Sequence, residues 1–203
     1  MYRNSQPIKI IIQMKTCLIY GLILFTTIVS AQRKAPIYIQ PLGKVNTTTI
    51  HKVKKSMELF YHRSCEIKPM VNFTPDILAD SKTRYEAGNI LRKFSSNKNV
   101  LIITEKDIAT AKGNIKEWGV FGFGYRPGST CVISTYRLKR KVVNAQFIDR
   151  LNKVAIHEIG HNIGLPHCTS GNKHCLMNDA GGTIAQVDNE QILFCNKCNS
   201  LIK

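Results

Sequence analysis

The sequence has few acidic residues. Its 203 residues include 13 Asp and Glu against 29 Lys and Arg, which gives a formal net charge of +16 at pH 7. A charge of this sign is compatible with nucleic acid, anionic surfaces or acidic substrates as partners. However, the sequence has no arginine-rich tail or nucleic-acid-binding motif, and its basic residues are dispersed. We therefore expect a solvated basic surface and no nucleic-acid partner.

Acidic residues are missing altogether from the first 31 positions. In this segment Arg3, Lys9 and Lys15 precede an apolar run, CLIYGLILFTTIV, and the small residues Val29 and Ala31 have the spacing of a cleavage site. The apolar run is shorter than the roughly 20 residues that a membrane-spanning helix needs. The pattern is typical of a secretory signal peptide.

We therefore predict a signal peptide over residues 1–31, with Met14 as a second candidate start. A retained membrane anchor is the alternative, but we expect no stable anchor. The remaining residues, 32–203, have the length of one domain with its own core. The sequence thus predicts a monomeric, single-domain protein that is exported, either to a periplasm or as a secreted protein.

Seven cysteines are present, and one of them lies in the predicted signal peptide. Four others cluster near the C-terminus: Cys168, Cys175, Cys195 and Cys198. Export makes disulfides an option, and Cys195 with Cys198 could form a redox pair, although the strand–helix context of such a motif is absent. Two cysteine pairs at these spacings favour a tetrahedral Cys₄ structural zinc site. We expect the remaining Cys65 and Cys131 to be buried thiols.

The stretch AIHEIGHNIGLPHC contains three of the six histidines. His157 and His161 are four residues apart, so an α-helix places both on one face, within reach of one metal ion. Glu158 lies beside them, in the position of the general base of an H-E-x-x-H zinc site. A helix that carries histidines by chance is the alternative for this short motif.

The residues that follow extend the motif. Gly164 allows the helix to end and the chain to turn back, which would deliver His167 as a third ligand. Three protein ligands and one open position are typical of catalytic zinc. The complete pattern, H-E-x-x-H-x-x-G-x-x-H, is the metzincin signature, and Met177 follows as a candidate for its Met-turn.

Hydrophobic periodicity predicts an α+β fold around this motif. We expect strands at 35–43, 65–73 and 100–104, amphipathic helices at 47–63 and 81–96 (the second capped by Ser81), a hairpin within 118–138, a long active-site helix at 144–164 and a short helix within 187–198. The glycine-bearing strand of the hairpin, Val120 to Tyr125, would lie at a sheet edge and bind a substrate as an added strand. From about residue 167 the chain would form a small, zinc-bound C-terminal lobe.

These residues resemble the archaemetzincins, a family of the metzincin clan. The resemblance rests on HEIGHNIGLPHC, CLM and CNKC, and upstream blocks such as VLIITEKDI and VFGFGYRPG extend it over nearly all of the mature chain. It implies a zinc metallopeptidase with a metzincin-like mixed sheet, a peptide or protein substrate and aminopeptidase activity as one option. It also implies a catalytic zinc at His157, His161 and His167, Glu158 as general base, and a second, structural zinc at Cys168, Cys175, Cys195 and Cys198.

Two features depart from the family pattern. The segment between Cys168 and Cys175 is longer than the resemblance implies, which makes His174 an alternative ligand, and an export signal is unusual for the family. A non-catalytic zinc module that binds a partner or polyanion through the basic surface is the alternative function. Such a module has no need of a base beside an open metal position, so the presence of Glu158 favours the peptidase.

Overall fold

A five-stranded sheet forms the centre of the fold. The computed structural model describes residues 35–202. Its strands are β1 (Ile37–Leu42), β2 (Cys65–Ile67), β3 (Tyr85–Glu86), β4 (Val100–Thr104), β5 (Ile108–Lys112), β6 (Ile115–Val120), β7 (Gly122–Gly124) and β8 (Thr130–Ser134). The main sheet has the order β2-β1-β4-β8-β7, in which only β7 is antiparallel to its neighbour. A smaller sheet has the order β3-β5-β6.

Helices cover both faces of the main sheet. They are α1 (Thr47–Tyr61), α2 (Ala87–Lys93), α3 (Thr135–Leu138), α4 (Asn144–Asn162), α5 (Ile184–Asn189) and α6 (Asn196–Asn199), with a short 3₁₀ turn at Pro75–Ile77. In β4, Leu101 and Ile103 belong to the cluster formed with α1 and α4, whereas Val100 and Ile102 belong to the cluster formed with α2. Coverage on both faces explains why this strand is a continuous apolar run.

The long helix α4 is tied to its surroundings by two polar contacts. The Tyr61 hydroxyl at the end of α1 donates a hydrogen bond to the Ile156 carbonyl oxygen over 2.6 Å. Arg150 forms a bidentate ion pair with Asp188 of α5, in which both nitrogen–oxygen distances are 2.6 Å. Since α5 belongs to the C-terminal part of the chain, the ion pair fixes that part against α4.

Most of the predicted elements are confirmed: an α+β fold, the strand at 100–104, the amphipathic helix that begins at Thr47 and the long helix α4. Of the predicted strand 65–73, only Cys65–Ile67 is regular. The edge position of the glycine-bearing strand β7 is also confirmed. However, the prediction that Trp118 begins the hairpin is wrong, because this residue lies in β6 of the smaller sheet.

The helix predicted over 81–96 is wrong in its first half. Its N-cap is Glu86, whose side chain accepts a hydrogen bond from the Asn89 backbone, so α2 has only seven residues. Ser81 instead donates its hydroxyl hydrogen bond to Glu117 over 2.6 Å. Tyr85 and Glu86 pair with β5, and this strand pairing overrides the helical pattern of the preceding residues.

The short helix predicted within 187–198 is also misplaced. Helix α5 ends at Asn189, and the next residues run without regular structure to Cys195, where α6 begins. Phe194 explains the break, because its buried ring packs edge-on against Phe60 with 4.9 Å between the ring centroids. A continuous helix would have to give up this contact between the C-terminal part and α1.

The predicted signal peptide, residues 1–31, lies outside the described residues and stays a prediction. Between residues 35 and 202, none of the helices is long and apolar enough to cross a membrane.

Candidate metal centre and active site

Three histidines meet at the C-terminal end of α4. The ring centroids of His157 and His161 are 4.6 Å apart, and the His167 ring lies 5.4 Å from the first and 4.8 Å from the second. The Nδ1 atoms of His157 and His161 lie 2.7 and 2.8 Å from the carbonyl oxygens of Leu176 and Leu165. A carbonyl oxygen can only accept, so both Nδ1 atoms carry hydrogen and both Nε2 atoms have free lone pairs.

The spacing of these nitrogens fits zinc. The Nε2 atoms of His161 and His167 are 3.3 Å apart. Two nitrogens bound tetrahedrally to zinc at about 2.0–2.1 Å are separated by about 3.3–3.4 Å. Burial lowers the pKa of His157 to about 3 and also lowers the pKa of His161, so both imidazoles are neutral as metal ligands must be.

A turn at the end of α4 brings the third histidine back to the other two. Gly164 has a φ of +102°, a left-handed conformation that side chains other than glycine rarely adopt. The Leu165 amide donates to the Gly160 carbonyl oxygen over 2.9 Å, which closes the helix. The predicted role of Gly164 as the helix-ending residue is thus confirmed.

Met177 packs against α4 at Gly160, the residue before His161. It is fully buried, and a Cβ atom at Gly160 of α4 would lie 2.6 Å from its sulfur. Its carbonyl oxygen accepts a hydrogen bond from the Cys168 amide over 2.7 Å. The residue therefore packs under the helix and joins it to the cysteine-bearing segment, as expected of a Met-turn.

Glu158 is held in the same cavity, against a glycine of the edge strand. Its side chain is 6% exposed, and a Cβ atom at Gly122 would lie 2.5 Å from its Oε1 atom. Only glycine leaves room for the carboxyl group at this place. Burial raises the pKa of Glu158 to about 8. A divalent cation at the neighbouring imidazoles would oppose this rise, because it stabilises the carboxylate.

Four cysteines form a second cluster. The sulfur atoms of Cys168 and Cys195 are 3.6 Å apart, those of Cys175 and Cys198 are 3.7 Å apart, and all four lie within 4.8 Å of one another. Sulfurs bound tetrahedrally to zinc at about 2.3 Å are separated by about 3.8 Å. These distances exclude disulfide bonds, and all the cysteines of residues 35–202 are free thiols.

The structure shows whether His174 or Cys175 joins the cysteine cluster, and where Cys65 and Cys131 lie. His174 points away from it, because its Nδ1 lies 2.8 Å from the Asn189 carbonyl oxygen, whereas Cys175 belongs to the cluster. Backbone amides also point at the sulfurs, since Ser170 donates to Cys168 over 3.4 Å. Cys65 and Cys131 are buried elsewhere as separate thiols, as predicted.

A cavity of about 270 Å³ opens over the histidines. The edge strand β7 and the end of β6 form one wall, α4 forms the floor, and residues 178–190 form the opposite wall. Trp118 of β6 packs against Gly182 across the cavity, where a Cβ atom would lie 2.7 Å from the indole ring. A cleft between the sheet and the C-terminal lobe is therefore present.

Sequence reasoning missed two residues near this cavity. Glu190 lines it and is 5% exposed, whereas the sequence analysis gave this residue no role. Asn162 is 4% exposed, and neither of its side-chain polar atoms has a hydrogen-bond partner in the structure. No periodicity marks either position, because each lies at a helix end where the chain changes direction.

The sequence and the fold have known relatives. The sequence model of peptidase family M54 matches residues 69–203. An archaemetzincin from Archaeoglobus fulgidus is 31% identical over 167 residues, which cover 82% of this chain and 98% of that protein. An archaemetzincin from Methanocaldococcus jannaschii is 32% identical, with coverage of 80% and 89%.

Solved structures agree with these matches. The crystal structure of the Archaeoglobus fulgidus archaemetzincin in complex with malonate has a TM-score of 0.71 and covers 81% of this chain and 98% of its own. The archaemetzincin from Methanopyrus kandleri, at 21% identity, has a TM-score of 0.72, covers 86% of this chain and 96% of its own, and supports the fold alone. The donor sets found here, one of three imidazoles and one of four thiols, suit two zinc ions. The chain therefore belongs to the archaemetzincins, peptidase family M54, and is a zinc metallopeptidase.

Proposed function

We propose that His157, His161 and His167 hold the catalytic zinc of this peptidase, and that Glu158 is its general base. The free Nε2 atoms and lowered pKa values of His157 and His161 support these two ligands, and the 3.3 Å between the Nε2 atoms of His161 and His167 supports the third. The second zinc is structural and is held by Cys168, Cys175, Cys195 and Cys198. Four thiolates leave no open position for a substrate at that ion.

The reaction needs a proton acceptor beside the metal. A zinc ion held by His157, His161 and His167 would supply Lewis acidity to a water molecule and to the scissile carbonyl group. Glu158 takes the proton from the attacking water and returns it to the amine that leaves. The close contact with Gly122 fixes the carboxyl group in the cavity.

The edge strand β7 binds the substrate backbone. It pairs with β8 on one side only and lines the cavity on the other. A peptide in extended conformation can therefore add to it as a further strand, with main-chain hydrogen bonds that do not depend on sequence. Gly122 and Gly124 allow this peptide to approach closely.

One observation carries the proposal: the Glu158 carboxyl group is buried in the cavity of the three histidines, without a hydrogen-bond or ion-pair partner among residues 35–202. Replacement Glu158→Gln keeps the shape but cannot accept a proton. We expect an unchanged zinc content and a loss of at least about a hundredfold in kcat. Near wild-type turnover of a peptide library by zinc-replete Glu158→Gln protein would contradict this role.

We also propose that the enzyme acts outside the cytoplasm. The support is the basic segment, the apolar run and the small residues before Gln32. N-terminal sequencing of the protein recovered from its source is expected to give a start near Gln32, in a soluble extracytoplasmic fraction. A chain that still contains LIYGLILF in the membrane fraction would instead support the anchor.

A further inference from the structure

One charged side chain in the cavity has no role in the proposed reaction. Glu190 lines the cavity together with the catalytic residues and is 5% exposed. Its carboxyl group accepts one hydrogen bond from the described residues, from the Gln186 amide over 3.3 Å. A buried carboxylate without a cation is costly, so an isolated one at the wall of a binding cavity calls for an explanation.

The nearest cation is engaged elsewhere. Lys153 lowers the pKa of Glu190 only as a weaker, longer-range charge, while burial raises that pKa to about 7. The lysine nitrogen lies 2.6 Å from Asp149 and 3.4 Å from the Asp188 carbonyl oxygen. Glu190 therefore has no ion-pair partner among residues 35–202. A divalent ion at the histidines would oppose this rise in pKa, because a nearby cation favours the carboxylate.

The walls around Glu190 suit a long side chain with a charged end. Val154 and Val187 also line the cavity and are 6% and 2% exposed. Val154 precedes His157 by three residues of α4, which corresponds to about 4.5 Å along the helix axis. An aliphatic stem can pack on these valines while its cationic end meets the carboxylate.

The cavity is also acidic within a basic protein. Its lining contains the carboxyl groups of Glu158, Asp179 and Glu190 and a single lysine, Lys112. The Lys112 nitrogen lies over the Trp118 ring, 5.1 Å from its centroid. Carboxyl groups thus outnumber lysine and arginine side chains in this lining, whereas the whole sequence has a net charge of +16.

From this arrangement we propose that Glu190 is a specificity-determining residue, which selects substrates that carry a cationic group next to the scissile bond. The group is an ammonium or guanidinium, supplied either by a lysine or arginine side chain or by the free α-amino group of the substrate. This inference rests on the proposed peptidase site, since it places Glu190 in the substrate cavity of that site.

Paired peptides test the inference. One series has lysine and its neutral counterpart norleucine at each position flanking the cut, and every peptide is made with a free and with an acetylated N-terminus. At about pH 8, where a carboxylate with this pKa is mainly ionised, the wild type should cleave one cationic form at least about tenfold faster in kcat/KM than its neutral counterpart. A preference for lysine in acetylated peptides identifies the side chain as the source, and a preference for free N-termini identifies the α-amino group.

The variant Glu190→Gln should remove this preference while it retains cleavage of the neutral peptides. Glu66→Gln is the matched control, because it removes an exposed carboxylate on β2, far along the chain from the cavity residues, and should keep the preference. The cleavage sites that the wild type selects in a random peptide library provide a second test that needs no variant. Equal cleavage of cationic and neutral peptides by the wild type overturns the inference and leaves the peptidase site intact. If the wild type cleaves neither the cationic nor the neutral peptides, the inference about Glu190 and the proposed peptidase site are both overturned.

Discussion

A single glycine decides whether the general base can occupy its place. At Gly122, a Cβ atom would lie 2.5 Å from Oε1 and 2.8 Å from Cδ of Glu158, so the carboxyl group would have to move. The three atoms nearest to that Cβ all belong to Glu158, so we expect the histidines to keep their positions. The same residue also belongs to the edge strand that we propose for substrate binding, so two requirements favour glycine here.

Gly122→Ala is therefore expected to lose about a hundredfold in kcat, the loss that a displacement of about 1 Å can cause in a catalytic group. Zinc content should stay unchanged. Gly113→Ala is the control, because a Cβ atom there meets nothing within 4 Å and the residue lies in the turn between β5 and β6. Its φ of +57° makes alanine strained, so stability should fall while activity remains. Activity of Gly122→Ala equal to that of the control would exclude the proposed contact.

Individual elements differ in how far their sequences define them. Helix α4 is predictable because its apolar positions and its histidines share one 3.6-residue period, and β4 because both of its faces are buried. The true start of α2 is hidden, because the pairing of Tyr85 and Glu86 with β5 is a contact between distant segments. The end of α5 depends in the same way on the packing of Phe194 against α1.

In the candidate site, too, some residues are predictable from local sequence patterns and others depend on contacts between distant segments. The ligands and Glu158 could be named because a metal requires fixed donor types at fixed spacings along one helix and one turn. Glu190 and Gly182 could not be named, because the cavity wall that they form exists only after residues 178–190 fold back against α4. Local patterns thus reveal the metal centre, whereas the substrate cavity depends on tertiary contacts.

The packing of α4 on Met177 gives a prediction about the stability of the protein. Gly160→Ala should stabilise the helix itself by up to about 1 kcal/mol, since alanine is the better helix former. However, the added methyl group would lie 2.6 Å from the buried Met177 sulfur, and overpacking costs about 1–3 kcal/mol. We expect the second effect to prevail, with a lower Tm in calorimetry and weaker zinc binding at the histidines. An increase in Tm would show that Met177 moves aside freely.

The whole molecule combines a large sheet core with a small lobe that has little apolar surface of its own. Residues after His167 contain only short helices, and the cysteine cluster ties them to one another. They are joined to the rest of the molecule through the buried Met177, the Arg150–Asp188 ion pair and the ring of Phe194. The binding energy of the zinc in this lobe is therefore in part folding energy. Because His167 and Cys168 are adjacent, the lobe also holds one ligand of the catalytic ion.

Cys198→Ser should consequently affect both metal centres. We expect loss of the structural zinc, greater susceptibility of the chain after His167 to proteolysis, and weaker binding of the catalytic zinc through its third ligand. Lys197→Ser is a suitable control, because it changes an exposed neighbour in the same helix without removing a thiol. Elemental analysis with limited proteolysis distinguishes the two variants. Full activity of a Cys198→Ser protein that lacks the structural zinc would contradict the coupling of the two centres.

A chelator titration tests the central claim most directly, that one zinc ion serves catalysis and the other serves the fold. Bound zinc, peptide hydrolysis and circular dichroism are followed together on the wild-type protein. The open histidine site should release its ion first, so that activity disappears while one zinc and the native spectrum remain, and the second zinc should leave at higher chelator concentration together with the native spectrum. Loss of both ions, activity and structure in one step, or activity that persists after the first ion has left, would contradict the account.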